Sequence, residues 1–205
     1  MSERKQHWEK VYADKSPLAV SWYQKEPLVS LQLIRNVGLA KDAAVIDVGG
    51  GASVLVDFLC AEGYSQVAVL DISATALASA KERFKQNSDK VVWHEADITG
   101  FLSPRRYSLW HDRAVFHFLT EASDREKYVD VLRRTLEPDG QLIMGAFAIG
   151  GPTKCSGLDI VQYDAAKLMR ELGDDFELLE ECSETHITPA NQAQRFAYFR
   201  FVRKD

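Results

Sequence analysis

Short apolar runs alternate along the chain with longer stretches in which apolar residues recur every three to four positions. "AAVIDV" (43–48) predicts a first strand, and "SVLVDFLCAEG" (53–63) a helix closed by glycine. "QVAVLDI" (66–72) predicts a second strand. "SATALASAKERFKQ" (73–86) follows as a helix with Ser73 as its N-cap. "VVWHEAD" (91–97) and "YSLWHD" (107–112) read as third and fourth strands. The next helix carries "SDRE" (123–126), the pattern of a capping box. "GQLIMGAFA" (140–148), after the turn "EPDG", is a fifth strand, followed by a helix near 164–172. Two further strand-like runs, "FELLEECSE" (176–184) and "RFAYFRFV" (195–202), close the pattern with no helix between them.

Strands alternating with helices predict an α/β fold, a mostly parallel sheet with helices on both faces. The last two runs are joined too closely for a helical crossover and predict an antiparallel hairpin at one edge. Ligands in such sheets bind at the carboxyl ends of the strands. The last residue of each strand and the first of each loop are therefore the candidates for chemistry.

Composition narrows the picture. The 205 residues suit one domain, and 46% hydrophobic with 27% charged residues allows a buried core and a solvated surface. A net charge of -5 argues against a nucleic-acid or anionic-membrane surface. Cys60, Cys155 and Cys182 lie far apart, which predicts neither a disulfide framework nor a metal set and suits a reducing, cytoplasmic setting. "MSERKQHWEK" lacks the apolar core of a signal peptide, and no run is long enough to span a bilayer.

The stretch "VIDVGGGAS" (45–53) runs three apolar residues and an acid into three glycines. A dinucleotide fingerprint starting at Gly49 and Gly51 would need glycine at 54, where Val54 stands, so NAD is not expected. The pattern present is acid-x-Gly-x-Gly: Asp47, Gly49, Gly51, with Gly50 between. Taken alone it equally fits a plain strand–turn–helix whose glycines only bend the chain. Two further strand ends carry acids: Asp71, 24 residues after Asp47, followed by Ile72, and Asp97, followed by Ile98.

These residues together resemble the class I S-adenosylmethionine (SAM) methyltransferases, over about residues 43–148 and more loosely over the whole chain. The resemblance implies a seven-stranded Rossmann-like domain, with residues 1–40 as an N-terminal helical lid and 41–205 as the core. It implies SAM as cofactor and S-adenosylhomocysteine (SAH) as product. Asp47 would hold the SAM ammonium and Asp71 the two ribose hydroxyls, with Ile72 beside it. Asp97 would accept from the adenine amine while Ile98 packs near the ring. The family usually has another small residue, commonly glycine, where Ser53 stands.

On the substrate side, "WHDRAVFHFL" (110–119) lacks the Asn/Asp-Pro-Pro-aromatic signature of one amine-methylating subgroup. It is similar to the segment of small soluble enzymes, including thiol-type and tellurite-resistance methyltransferases. His117 is the candidate base or substrate-orienting group, with a packed core histidine as the equal alternative. Asp112 is expected to position the amino-acid end of SAM or to pair with Arg113, and His111 to point into the sheet flank. Cys155 lies in an expected substrate loop, where an inert thiol is the favoured reading. In the aromatic segment 7–27, Tyr12 and Trp22 are assigned to the site, where rings suit a sulfonium, and Trp8 to packing. The expected activity is methyl transfer to a small molecule, a thiol or other soft nucleophile. A protein lysine methyltransferase, suggested by the Trp8-x-x-x-Tyr12 spacing, and a non-catalytic SAM-binding regulator are the alternatives. No nucleic-acid, membrane or metal partner is expected, and a monomer or weak homodimer is.

Overall fold

The structure, a computed structural model, describes residues 2–204, without the side chains of 86–88. The chain starts with α1 (Glu3–Asp14) and α2 (Leu28–Val37). The core then alternates β1 (Ala44–Val48), α3 (Leu55–Ala61), β2 (Gln66–Asp71), α4 (Ala74–Arg83), β3 (Val91–Glu95), β4 (Tyr107–Arg113), α5 (Ala122–Thr135) and β5 (Leu136–Phe147). A small hairpin of β6 (Lys154–Cys155) and β7 (Leu158–Asp159) precedes α6 (Ala165–Leu172). β8 (Phe176–Ile187) and β9 (Ala193–Arg203) end the fold.

The main sheet has seven strands in the order β3-β2-β1-β4-β5-β9-β8. The first five are parallel to one another. β9 enters antiparallel between β5 and β8, so the expected edge hairpin is present. The strand order reverses at β1 and β4, whose carboxyl ends therefore diverge from their helices and leave a crevice.

Side-chain alternation divides the core in two. Ile46, Ala68, Leu70, Trp110, Leu142 and Met144 pack with Tyr128, Leu132 and Leu168 from α5 and α6. Val45, Val67, Val69, Leu109 and Ile143 pack with Leu31, Ile34, Leu59 and Leu77 from α2, α3 and α4. The same parity puts Asp47, Asp71, His111 and Arg113 on the second face, because each stands an even number of residues from an apolar member of that set. Asp112 falls on the first.

Local departures have local causes. Ser73 caps α4, its Oγ accepting from Ala76 N–H at 3.1 Å. The expected capping box at 123–126 does not form: α5 starts at Ala122, with Glu121 as N-cap and no side-chain cap. Its residues are engaged elsewhere, Asp124 with Arg4 and Lys127, and Arg125 with Glu171 and the carbonyls of Leu119 and Thr120. β5 begins at Leu136, before the "EPDG" turn, and absorbs that turn as a register shift against β4. α2 is part of the core rather than of a lid: Leu31, Leu33 and Ile34 are buried against the sheet. The N-terminal residues that line the cavities of the crevice run from Arg4 to Ser30.

Candidate active site

Two cavities lie at the carboxyl ends of the parallel strands. The first is lined by Leu70, Asp71, Ile72, Ala96, Asp97 and Ile98 on one side. Its other side is made by Trp8, Phe118, Cys155 and Phe196. The second is lined by Asp47, Gly50, Ser53, Ser30 and His111 beneath Pro17, Tyr23 and Gln24. Tyr12, Trp22, Gly49 and Arg113 line both, and so form the partition.

The glycine loop is shaped by what crowds it. A β-carbon on Gly49 would come within 1.9 Å of Val115 Cγ2, and one on Gly51 within 2.5 Å of Asp71 Oδ2. Gly49 has φ of +69°, a conformation L residues with side chains avoid. A β-carbon on Gly50 would meet Asp47 Oδ2 at 2.5 Å. The loop thus folds its backbone onto two carboxylates and leaves them room. Ser53 fits without displacing the loop, since its Oγ accepts from Leu55 N–H at 3.1 Å at the start of α3.

Asp47 is buried, and its two oxygens differ. Oδ1 bonds His111 Nδ1 at 2.7 Å, while His111 Nε2 contacts Ser30 Oγ at 2.9 Å. Oδ2 is buried with no hydrogen-bond partner. His111 therefore does not point away from the site as expected. It pairs with Asp47 because the two residues are register neighbours on adjacent parallel strands.

Asp71 closes β2 and is also buried. Its Oδ1 accepts from Ser73 N–H at 2.8 Å. Desolvation, with the charges of Asp47 and Glu9 added, outweighs that bond and pushes the carboxyl up to about 7. Asp97 is more open. It accepts from Thr99 N–H at 3.0 Å and Thr99 Oγ1 at 2.8 Å, and from Arg4 Nη1 at 3.1 Å on both oxygens. Ile72 and Ile98 flank these two acids in the first cavity.

Helix α1 closes the first cavity through charge. Arg4 bridges Asp97 to Asp124, Lys5 pairs with Glu95, and Glu9 sits on the N-terminus of α4. The Glu9 carboxylate accepts from Ser73 Oγ and from the N–H groups of Ala74 and Thr75 at 2.7–3.1 Å. Burial alone would raise Glu9, but these bonds hold it below its usual value. Beneath, aromatic rings meet edge to face: Trp8 with Trp22 and with Phe118, and Tyr12 with Trp22. Trp22 Nε1–H donates to Tyr12 Oη at 3.3 Å. Burial and the neighbouring Asp71 keep the Tyr12 phenol protonated, far above its ordinary value. Trp8 lines the first cavity as well as packing, a wider role than expected.

Neither residue expected to be catalytic lines either of these two cavities. Asp112 has the opposite strand parity and is fully buried. It accepts from Tyr128 Oη at 2.6 Å and from the N–H groups of Val115 and Phe116, so it ties the turn after β4 to α5. Burial raises its carboxyl to about 6 despite those bonds. His117 is wholly enclosed beside Phe118 and Phe147, and its Nδ1 accepts from Phe147 N–H at 3.4 Å. Desolvation, with Arg113 nearby, depresses it to about 3. A base must reach the proton it removes, and this ring is walled in. What the sequence reading missed is the Asp47–His111–Ser30 chain and the central place of Arg113. Strand parity from Asp47 and Asp71 was the signal that could have found both.

The comparisons follow this geometry. Residues 45–140 match a protein family described as a methyltransferase domain. No curated protein matches the chain in sequence. The N-methyltransferase NodS from Bradyrhizobium japonicum, solved with SAH, is 18% identical, with a TM-score of 0.76 and all of both chains covered. The structure solved for conversion of a disulfide bond into a thioacetal group during echinomycin biosynthesis is 17% identical, with a TM-score of 0.77, covering 98% of this chain and 93% of that one. The glycopeptide N-methyltransferase MtfA with SAM is 14% identical, with a TM-score of 0.70, covering 92% and 99%. At these identities the likeness is one of fold. The domain match runs from β1 through α5 to the start of β5 and includes the glycine loop with Asp47, Asp71 and Asp97. Residues 45–140 thus match a methyltransferase-domain family, on a Rossmann-like fold that the chain shares with solved SAM-dependent methyltransferases.

Proposed function

We propose that the chain transfers the SAM methyl group to a soft nucleophile on a small molecule, a thiol before others. The observation that carries this is the wall of the first cavity opposite Asp71 and Asp97. It consists of Trp8, Trp22, Phe118, Leu119 and Phe196, with Cys155 and Arg113 as its polar members. Arg113 is a cation, and burial pushes the Cys155 thiol up to about 11, so it stays neutral. Tyr12 keeps its proton. Among the described residues lining that wall, none is a ready base.

SAM, when bound, supplies a methyl group already activated on sulfur. Asp71 then holds the ribose hydroxyls, Asp97 and Ile98 the adenine, and Asp47 Oδ2 the ammonium. The orphaned Oδ2 and the space left by the loop glycines fit that ligand. The partition of Tyr12, Trp22 and Gly49 is where a ligand spanning both cavities must pass, and the rings there suit a cation and exclude water. In the transfer, the nucleophile's lone pair forms the new bond to the methyl carbon. The old carbon–sulfur bond breaks, and its electrons stay on the cofactor sulfur. A thiol loses its proton to water without help, because a free thiol of pKa about 8.5 is already partly ionised near neutrality. A hydroxyl would need a base this wall lacks.

Methyl-labelled SAM incubated with cell extract, then split into small-molecule and protein fractions, tests the reading. Label in the small-molecule fraction, in a product that a thiol-alkylating reagent prevents, is the expected result. Label in protein would favour the lysine alternative, and binding with no transfer a regulator.

A further inference from the structure

The partition holds a buried cation with an open donor. The Arg113 side chain is only 10% exposed. Its Nε donates to Tyr198 Oη at 2.8 Å and its Nη1 to the Trp22 carbonyl at 3.0 Å, and the guanidinium lies 4.4 Å from the centre of the Phe196 ring. Nη2 has no hydrogen-bond partner. The nearest acid, Glu184, is 3.8 Å away, and its oxygens already accept from Tyr198 Oη and Gln24 Nε2. A buried charge with an unmade bond is costly unless a ligand completes it.

Arg113 stands two residues beyond His111 on β4, which pairs in register with Asp47 on β1. All three project from the same face into the second cavity. Two residues lining that cavity thus carry complementary unpartnered atoms, the acceptor Asp47 Oδ2 and the donor Arg113 Nη2. One small group satisfies both: an α-amino acid head, ammonium toward Asp47 and carboxylate toward Arg113.

We propose that Arg113 is the carboxylate anchor of the cofactor's methionyl end, completing a zwitterion clamp with Asp47. The assignment rests on the SAM reading above. It makes Arg113 a binding residue at the partition, where Glu184 offsets part of its charge and the cofactor carboxylate supplies the hydrogen bond that Nη2 lacks. The bidentate fork of a guanidinium favours a carboxylate here over a single-point anion.

Calorimetry on the full chain tests it with three probes: SAH, its decarboxylated analogue, and 5′-methylthioadenosine, which lacks the amino-acid head. Wild type should prefer SAH to the decarboxylated analogue by roughly 10–100-fold, the range of a charge-assisted bond. Arg113→Met should lose that preference while binding 5′-methylthioadenosine within about threefold of wild type, a span that the ~1.4 kcal/mol per tenfold rule makes small. Arg113→Lys should recover part of it. If Arg113→Met also loses 5′-methylthioadenosine through misfolding, the wild-type preference and the Lys variant decide. Equal wild-type affinity for SAH and the decarboxylated analogue overturns the clamp. So does L-methionine binding alongside 5′-methylthioadenosine with an Arg113 dependence that SAH lacks, which would assign the clamp to an acceptor amino acid. Failure of every adenosyl probe to bind wild type would instead sink the SAM reading, and the clamp with it.

Discussion

Asp71 should make cofactor binding pH-dependent. The buried carboxyl is pushed up to about 7 by desolvation and by Asp47 and Glu9, so the free protein holds a proton there near neutrality. Ribose hydroxyls are donors and favour the ionised form. Binding must therefore expel the proton. If the bound carboxyl returns toward the ordinary value of about 3.9, affinity falls about tenfold per pH unit below 7, or about 100-fold from pH 7 to pH 5. Calorimetric titration of SAH between pH 5 and 8, in buffers of unlike ionisation enthalpy, reads both the slope and about one released proton near pH 6. Asp71→Asn should weaken binding at pH 8 and flatten the slope. The sign for the ligand-free protein is opposite. A carboxyl whose folded pKa is raised contributes stability below its unfolded pKa that is lost as pH rises toward the folded one. Over about 3 units this amounts to about 4 kcal/mol, so Asp71→Asn without ligand should melt higher than wild type at pH 8. Affinity that stays flat from pH 5 to 8 would refute the ribose assignment.

Asp97→Ala should weaken SAH binding less than Asp71→Ala, because Asp97 is more open and shares its oxygens with Arg4 and Thr99. Parallel titrations compare the two, and a larger loss at Asp97 would reverse the order of the two acids. His117→Ala should lower stability by about 2–4 kcal/mol through the vacated space, yet leave the shape of the turnover–pH profile unchanged. A lost limb near pH 6.5 in that profile would restore the base role. Gly49→Ala should abolish SAH binding or folding, since the new β-carbon would lie 1.9 Å from Val115 Cγ2 at a φ of +69°. Adding Val115→Ala should restore only part, because about 1–2 kcal/mol of backbone strain remains, and circular dichroism with calorimetry separates the two effects.

Much of the core was legible because parallel strands bury both faces and show as apolar runs with acids at their ends. Asp47 and Asp71 stand at the carboxyl ends of β1 and β2 where the alternation put them, Asp97 lies two residues past the end of β3, and the terminal hairpin followed from the short connection before β9. Motif likeness ignores parity and so could not place Asp112, which faces α5, or decide between the two readings of His117, which the turn tied by Asp112 seats under Phe147. "SDRE" resembled a capping box, but Asp124 and Arg125 are drawn into ion pairs with Arg4 and Glu171, far away in sequence. No local pattern announces such partners. The orphaned Nη2 of Arg113 was likewise invisible, since it depends on Trp22, Glu184 and Tyr198 converging from three segments.

A crystal structure of the chain grown with SAH tests the central claim most directly, that one cofactor spans both cavities across the Tyr12–Trp22 partition. The account predicts the ribose hydroxyls on Asp71, the adenine between Asp97 and Ile98, and the ammonium on Asp47 Oδ2. Adenine seated in the cavity of Asp47 and His111, or SAH confined to one cavity with Asp71 untouched, would contradict it.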